Sequence, residues 1–419
     1  MRICFVSRRY FPAISGMSIY AQNLTKHLAE LGHEVVMISQ YREDKEGVYI
    51  YGGGPPPVEN WMKTYGLRSL GEEVTGQDEP ADFERDMKEM IDTALKLHQE
   101  EPFDLVHAQY MYPTGLAALE ISKQLDIPNV VSIQGGDGHW VGTCCSTHKH
   151  AIDAVLQHAM SLIIGCDSFA REVSERHDIP IDRFTIISGA VDLDRFTTVA
   201  KDPDRKRNKL LYHGRVDSRK GALDLVYACD ILRKRNIDFH LTISGIGPDL
   251  DASRELVEKL KMNDQVSFLG RVGYSEVNKV YQDQDIFVSP SYAEGFSNTI
   301  LEAMATKLPI VATEVVGIQD CLEHNVNALL CQPGNHKALA DCIEKLLKDH
   351  QLQDRLLERA YTDVMEKYSW KVVVKKVEKE YQRVLTQKVD TNWDQLYEIA
   401  DEREDADLSC RFRKVPHLL

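Results

Sequence analysis

A chain of 419 residues is too long for one ordinary core, and 43% hydrophobic with 27% charged residues is the make-up of a globular protein built as two domains. A formal net charge of −15 excludes a nonspecific grip on nucleic acid and broad attraction to anionic lipid, while a local basic face for peripheral membrane contact stays open. No apolar run approaches the roughly 18 residues of a membrane span, and the first one stops at Arg8 and Arg9, so a cytoplasmic location is expected.

Taken in order, the first half alternates apolar runs with helical patterns. Residues 2–7 predict a strand, 16–31 an amphipathic helix and 34–39 a second strand; 104–108, 130–134, 162–166 and 184–187 predict further strands. Such alternation predicts a parallel sheet covered by helices on both faces, a doubly wound α/β domain. Residues 51–82, with three glycines and three prolines at 52–57, break the rhythm and predict an irregular surface excursion. Nine cysteines without a paired framework predict reduced thiols. Cys144 and Cys145 sit with His148 and His150, near His139, but they lack the separated ligand pairs of a standard zinc site, so a loop of local function is expected there and no metal.

The segment 188–196 and the polar run 201–209 predict a boundary between a first domain, 1–195, and a second, 196–368. Beyond it, strands are predicted at 209–213, 239–244, 266–269, 286–288, 310–313 and 328–330, which makes a second parallel sheet and a cleft between the two domains. Three helical stretches follow residue 335, with Trp370 as a packing anchor, and 369–390 is expected to return toward the first domain. The charged tail 391–419 has only Trp393, Leu396 and Tyr397 with which to dock.

Strand C-termini in open parallel sheets face the ligand, which singles out four turns. Gly16 opens the first helix and would let backbone approach a phosphate, as any tight turn would. Gln134, Gly135, Gly136 and Asp137 form a polar loop at a strand end, where a plain glycine turn is the alternative. Arg215 and Lys220 flank the turn after 209–213, and two cations on one loop suit a diphosphate better than they suit an exposed basic loop. The fourth turn joins strand 286–288 to a helix starting near Asn298. Free N–H groups from Gly295 to Thr299 would favour an anion. Glu302, one turn further on, suits a neutral diol such as a ribose, although Thr299 and Glu302 equally fit a capping box. Cations, a helix start and a diol acceptor are together what a nucleotide diphosphate sugar requires.

These residues resemble the family 4 (group 1) retaining glycosyltransferases of the GT-B fold, two Rossmann-like domains facing across a cleft. The likeness runs through Gly32 to Val35, Val191 and Asp192, Gly214 and Arg215 with Lys220, Gly245 to Pro248, Gly270 and Val272, and the pair Glu294 and Glu302 with seven residues between. It implies an acceptor-binding first domain, a nucleotide-sugar-binding second domain, and transfer of a hexose-type sugar from a UDP- or GDP-sugar to a hydroxyl acceptor without metal or other cofactor. Arg215 and Lys220 would hold the diphosphate and stabilise the leaving group. Glu294 would bind sugar hydroxyls beside the N–H groups of Gly295, Phe296 and Ser297, with Asn298 and Thr299 continuing the helix start. Glu302 would take the ribose, Arg271 and Val272 would lie near the base, and Gly214 and Gly16 would line the donor. Asp137 and His139 would face the acceptor.

Three positions depart from the family pattern. Gln134 stands where most members carry His, and an amide cannot titrate, so it is expected to bond the sugar without handling a proton. Met17 and Ser297 replace usual glycines of the donor loops. With no second well-placed carboxylate, retention is expected through front-face attack rather than a covalent intermediate. The rivals are a GT-B nucleotide-sugar epimerase, a binding protein with a decayed site, and, from Gly245 and Gly247, an NAD enzyme whose fingerprint lacks its third glycine.

Overall fold

The computed structural model describes residues 1–43, 52–69, 83–202 and 204–393. They form two compact units: Met1–Ser188 with the chain from Val373 onward, and Gly189–Val372.

The first unit holds a seven-stranded sheet of β1 (Arg2–Ser7), β2 (Glu34–Tyr41), β3 (Lys63–Arg68), β4 (Leu105–Gln109), β5 (Asn129–Ile133), β6 (Leu162–Ile164) and β7 (Phe184–Ile186). Its order is β3-β2-β1-β4-β5-β6-β7, and every adjacent pair is parallel. The inner strands are continuous apolar runs because both faces are covered, so Ile3 to Val6 and Val35 to Ile38 are all fully buried. Strand order reverses between β1 and β4, so the loops after Ser7 and Gln109 diverge and leave a crevice at that point. The structure corrects the reading of 51–82 as irregular throughout: Lys63–Arg68 pairs with β2 from Val36↔Lys63 to Tyr41↔Arg68. As an edge strand it bonds on one side only and needs no apolar run, which hid it. Residues 70–82 lie outside the described residues.

The second unit holds a six-stranded parallel sheet of β8 (Lys209–His213), β9 (His240–Ser244), β10 (Val266–Gly270), β11 (Ile286–Ser289), β12 (Ile310–Thr313) and β13 (Leu329–Cys331), in the order β10-β9-β8-β11-β12-β13. Here the order reverses between β8 and β11. The unit begins at Gly189, within the 188–196 segment. Val191 donates its N–H to Tyr368 O at 2.9 Å, and the Phe196 ring packs edge-on to Tyr281 at 5.9 Å, so the segment belongs to the second core.

The helix Trp370–Leu385 starts in the second unit and continues in the first. Val373, Val377, Tyr381 and Val384 recur at helical spacing and are fully buried. Glu380 accepts Ser161 Oγ at 2.6 Å and Thr185 Oγ1 at 3.1 Å within the first unit. Lys123 lies 4.7 Å from the Trp393 ring, which ties down the start of the tail; Leu396 and Tyr397 lie outside the described residues. Among the described residues no helix is long and apolar enough to cross a membrane.

Candidate active site

In the second unit the reversal of strand order puts the loop after β8 beside the loop after β11. Gly221 makes the close approach possible: at φ +67 it lies in the left-handed region, and a Cβ there would meet Pro290 O at 2.1 Å. The outcome is a contact between residues far apart in sequence, with Lys220 Nζ 2.6 Å from Glu294 Oε2. Ser291 Oγ donates to the other carboxylate oxygen at 2.9 Å, and Glu294 N donates to Val316 O at 3.3 Å.

Asp217 shapes the loop before it. Its carboxylate accepts Lys220 N at 3.1 Å, lies 3.1 Å from Arg215 Nε and lies 2.7 Å from the Arg219 guanidinium. Tyr212 OH donates to Arg215 O at 2.6 Å. One buried acid therefore sets the approach of both Arg215 and Lys220.

The helix Asn298–Ala305 begins at Ser297, whose side chain makes no capping bond; Ser297 Oγ pairs with Thr299 Oγ1 at 3.2 Å. The alternative capping box of Thr299 with Glu302 is not formed. Glu302 lies in the second turn, 6% exposed, and accepts Tyr281 OH at 2.8 Å. Burial pushes its carboxyl up to about 8, against the opposing pull of the Tyr281 hydroxyl and of Arg195. Gly295 is buried, while Phe296, Asn298 and Thr299 are half-buried along the same turn. Gly214, at φ +143, follows β8. Arg271 is exposed and Val272 half-buried past β10, an edge strand separated from β8 by β9.

In the first unit the crevice between β1 and β4 is organised by Gln109. Fully buried, it accepts Ser7 Oγ at 2.8 Å and donates from Nε2 to Met17 O and to Gln134 Oε1, each at 2.8 Å. Gln134 is thereby held to the turn in which Gly16 opens the helix Gly16–Glu30. The same loop holds the two residues expected on the acceptor side. Asp137 is 0% exposed and accepts Gln134 N and Met111 N, each at 3.0 Å. Burial pushes its carboxyl up to about 6 although backbone N–H groups favour the ionised form. His139 also turns inward, with Nδ1 2.8 Å from Glu172 Oε1 and its ring 4.5 Å from that of Phe169. Both residues hold the loop from within. A further pocket lies past the C-terminal ends of β1, β2 and β3, lined by Arg8, Arg9, Tyr10, Gln40, Arg42 and Ser69 among others.

Two consecutive family models match the chain, one described as glycosyl transferase 4-like domain over residues 15–190 and one as glycosyl transferases group 1 over 195–363. The chain belongs to the group 1 glycosyltransferases. Among relatives of this glycosyltransferase, the glycogen synthase of Mycobacterium tuberculosis is 26% identical over 401 residues, covering 89% of this chain and 92% of the relative. A D-inositol 3-phosphate glycosyltransferase of Pseudarthrobacter chlorophenolicus is 27% identical over 367 residues, 80% of this chain and 82% of the relative. The fold is GT-B. Sucrose-phosphate synthase from Thermosynechococcus elongatus superposes with TM-score 0.75 at 21% identity, over 91% of this chain and 98% of that one. Anabaena HepE in complex with UDP-glucose superposes with TM-score 0.69 at 15% identity, over 91% and 100%.

Gly245 and Gly247, the pair behind the NAD reading, each have a packing role. A Cβ at Gly245, φ +140, would meet Gly214 O at 1.8 Å, so this glycine lets the turn after β9 rest on the turn after β8. Asp217, Tyr281, Arg195 and Gln109 were not among the residues expected from sequence. Asp217 had a signal, an N-cap acid three residues before Lys220; Tyr281 and Gln109 read as core positions.

Proposed function

We propose that this glycosyltransferase moves a hexose-type sugar from a UDP- or GDP-sugar to a hydroxyl acceptor with retention of configuration and without a divalent metal. The contact of Lys220 with Glu294 at the reversal of strand order, on a loop where Asp217 also holds Arg215, carries the reading. In it Arg215 and Lys220 bind the diphosphate and neutralise the charge that grows on it as the glycosidic bond breaks. Glu294, already accepting from Ser291 and Lys220, is oriented to accept from sugar hydroxyls. Glu302 takes the ribose hydroxyls, and Arg271 with Val272 flanks the base. Gln134, fixed by Gln109, offers an amide that can bond a hydroxyl but cannot titrate. The acceptor oxygen bonds to the anomeric carbon on the face that the diphosphate leaves, and its proton passes to the departing phosphate oxygen. A covalent sugar on Glu294 or Glu302 is disfavoured, because one is engaged by a cation and the other is buried and raised. HepE, described in complex with UDP-glucose, supports the donor class.

Retention should show as a product whose anomeric proton coupling by NMR matches the donor's. Turnover should persist when Mg²⁺ and Mn²⁺ are omitted, since the diphosphate charge is met by side chains; strict dependence on either ion, or an inverted product, overturns the mechanism. Donor consumption should require acceptor, whereas an epimerase would release free nucleotide without one. The cytoplasm is the expected location, and nucleic acid is not an expected partner at a net charge of −15.

We further infer that the acceptor carries a phosphate or carboxylate. Arg8 and Arg9 follow β1 and Arg42 follows β2; all three are buried around one pocket at strand C-termini, where guanidinium forks suit an anion. A relative named for D-inositol 3-phosphate fits this chemistry. Arg42→Ala should raise the acceptor KM by about 10- to 100-fold, as expected for a lost hydrogen bond to a charged group, and leave the donor KM unchanged. A rise in the donor KM instead would show that the pocket does not serve the acceptor.

A further inference from the structure

We propose that Cys144, Cys145 and His148 form a binding site for a borderline-soft divalent cation, Zn²⁺, distinct from the donor residues of the second unit. The sequence spacing argues against this, because adjacent cysteines are not the separated pairs of a structural zinc motif. The fold supplies what the spacing lacks. The helix Ser146–His158 starts just after Cys145, whose Sγ caps it by accepting His148 N at 3.5 Å. N-cap and third helical residue face one another, as in a capping box, which brings the imidazole back over the sulfur. His148 Nδ1 lies 3.0 Å from Cys144 Sγ and 3.3 Å from Cys145 Sγ, and the three donor atoms lie within 4.8 Å of one another. His150 does not join them and is exposed.

Two features point to a cation over a purely hydrogen-bonded cluster. A neutral imidazole offers one in-plane lone pair at Nδ1, so two thiols cannot both donate to it. A cation replaces both thiol protons and satisfies all three donors at once. The size is also right: Zn–S near 2.3 Å and Zn–N near 2.0 Å in a tetrahedron set sulfur and nitrogen about 3.5 Å apart. The cluster therefore has to open by only a few tenths of an ångström. His148 is fully buried, its ring packed against Tyr112 at 4.6 Å and Phe83 at 6.0 Å, so its aim is fixed. The two half-buried thiols leave a way in for the ion. Two thiolates and an imidazole favour zinc over magnesium or calcium, and three protein ligands leave the fourth position to water or an incoming group.

The full chain, reduced and dialysed free of metal, should be titrated with Co²⁺ as a spectroscopic probe and then with Zn²⁺ in competition. One equivalent of Co²⁺ should give thiolate-to-cobalt charge transfer in the near ultraviolet, and Zn²⁺ should abolish it. The band should vanish in Cys144→Ser and in Cys145→Ser, each checked for native circular dichroism, and persist in Cys342→Ser. Donor binding by the second unit should be the same in all these variants, which separates this test from that of the transferase reading. Co²⁺ bound without a thiolate band, no binding of Zn²⁺, or a band that survives both serine variants overturns the site.

Discussion

Lys220→Ala should lower kcat/KM by about 10²- to 10³-fold, the loss typical of removing one preorganised charge stabiliser, or roughly 3–4 kcal/mol of transition-state stabilisation. The same change should cost only about 1 kcal/mol of folding stability. The split follows from geometry. The Lys220 side chain is 30% exposed, and its removal leaves Glu294 still bonded to Ser291 Oγ, so the folded state loses one half-solvated ion pair. The transition state loses more, because the charge on the departing diphosphate grows only as the bond breaks and Lys220 sits on the loop that meets it. Lys220→Arg, which keeps the charge but moves it, should recover part of the rate. Steady-state kinetics at saturating donor and urea unfolding of the same preparations decide the matter. Equal losses of rate and stability, or an intact kcat with only the donor KM raised, would refute a role in leaving-group stabilisation.

What the chain disclosed in advance tracks how each residue is buried. Strands β1, β8 and β12 were legible to the residue because a strand covered on both faces must be an unbroken apolar run, and such runs have sharp ends. β3 was not, since an edge strand satisfies one side of its backbone and tolerates Lys63 and Arg68. Glu294, Glu302, Arg215 and Lys220 were legible as candidates because charges at strand C-termini are ones that a core would exclude, and of these the fold brings Lys220 and Glu294 into contact. Their supports were not legible. Tyr281 reads as one more aromatic in a short helix, and only the tertiary fold brings its hydroxyl 2.8 Å from Glu302. The burial of Asp137 and His139 was not legible either: they sit among glycines in a polar loop, yet backbone N–H groups and Glu172 make their burial tolerable. Cys144, Cys145 and His148 follow the same rule, as a helix start brings together donors whose spacing in the sequence argues against a site.

Donor affinity should rise with pH, by about 20-fold between pH 6.5 and 8.5. Glu302 is the cause. Burial raises its carboxyl from 4.5 to about 8, so at pH 7 only about one molecule in ten carries the carboxylate that a ribose diol prefers. A donor that binds the ionised form is weakened by that fraction and releases a proton as it binds. Stability should run the other way. From 4.5 to about 8 the folded protein keeps a proton that the unfolded chain gives up, so the stabilisation is complete below 4.5 and lost as pH rises through 8. The full swing is on the order of 5 kcal/mol. Glu302→Gln keeps an oxygen for Tyr281 but cannot ionise. Its donor affinity should be flat across the window and about 10- to 100-fold weaker than wild type at pH 8.5, the worth of a charge-assisted hydrogen bond. Its Tm should also decline less from pH 5 to 8. Calorimetric titration of a UDP- or GDP-sugar at several pH values in buffers of different ionisation enthalpy reads affinity and proton release together. A wild-type affinity that does not change with pH would show that Glu302 does not meet the ribose as a carboxylate freed from burial.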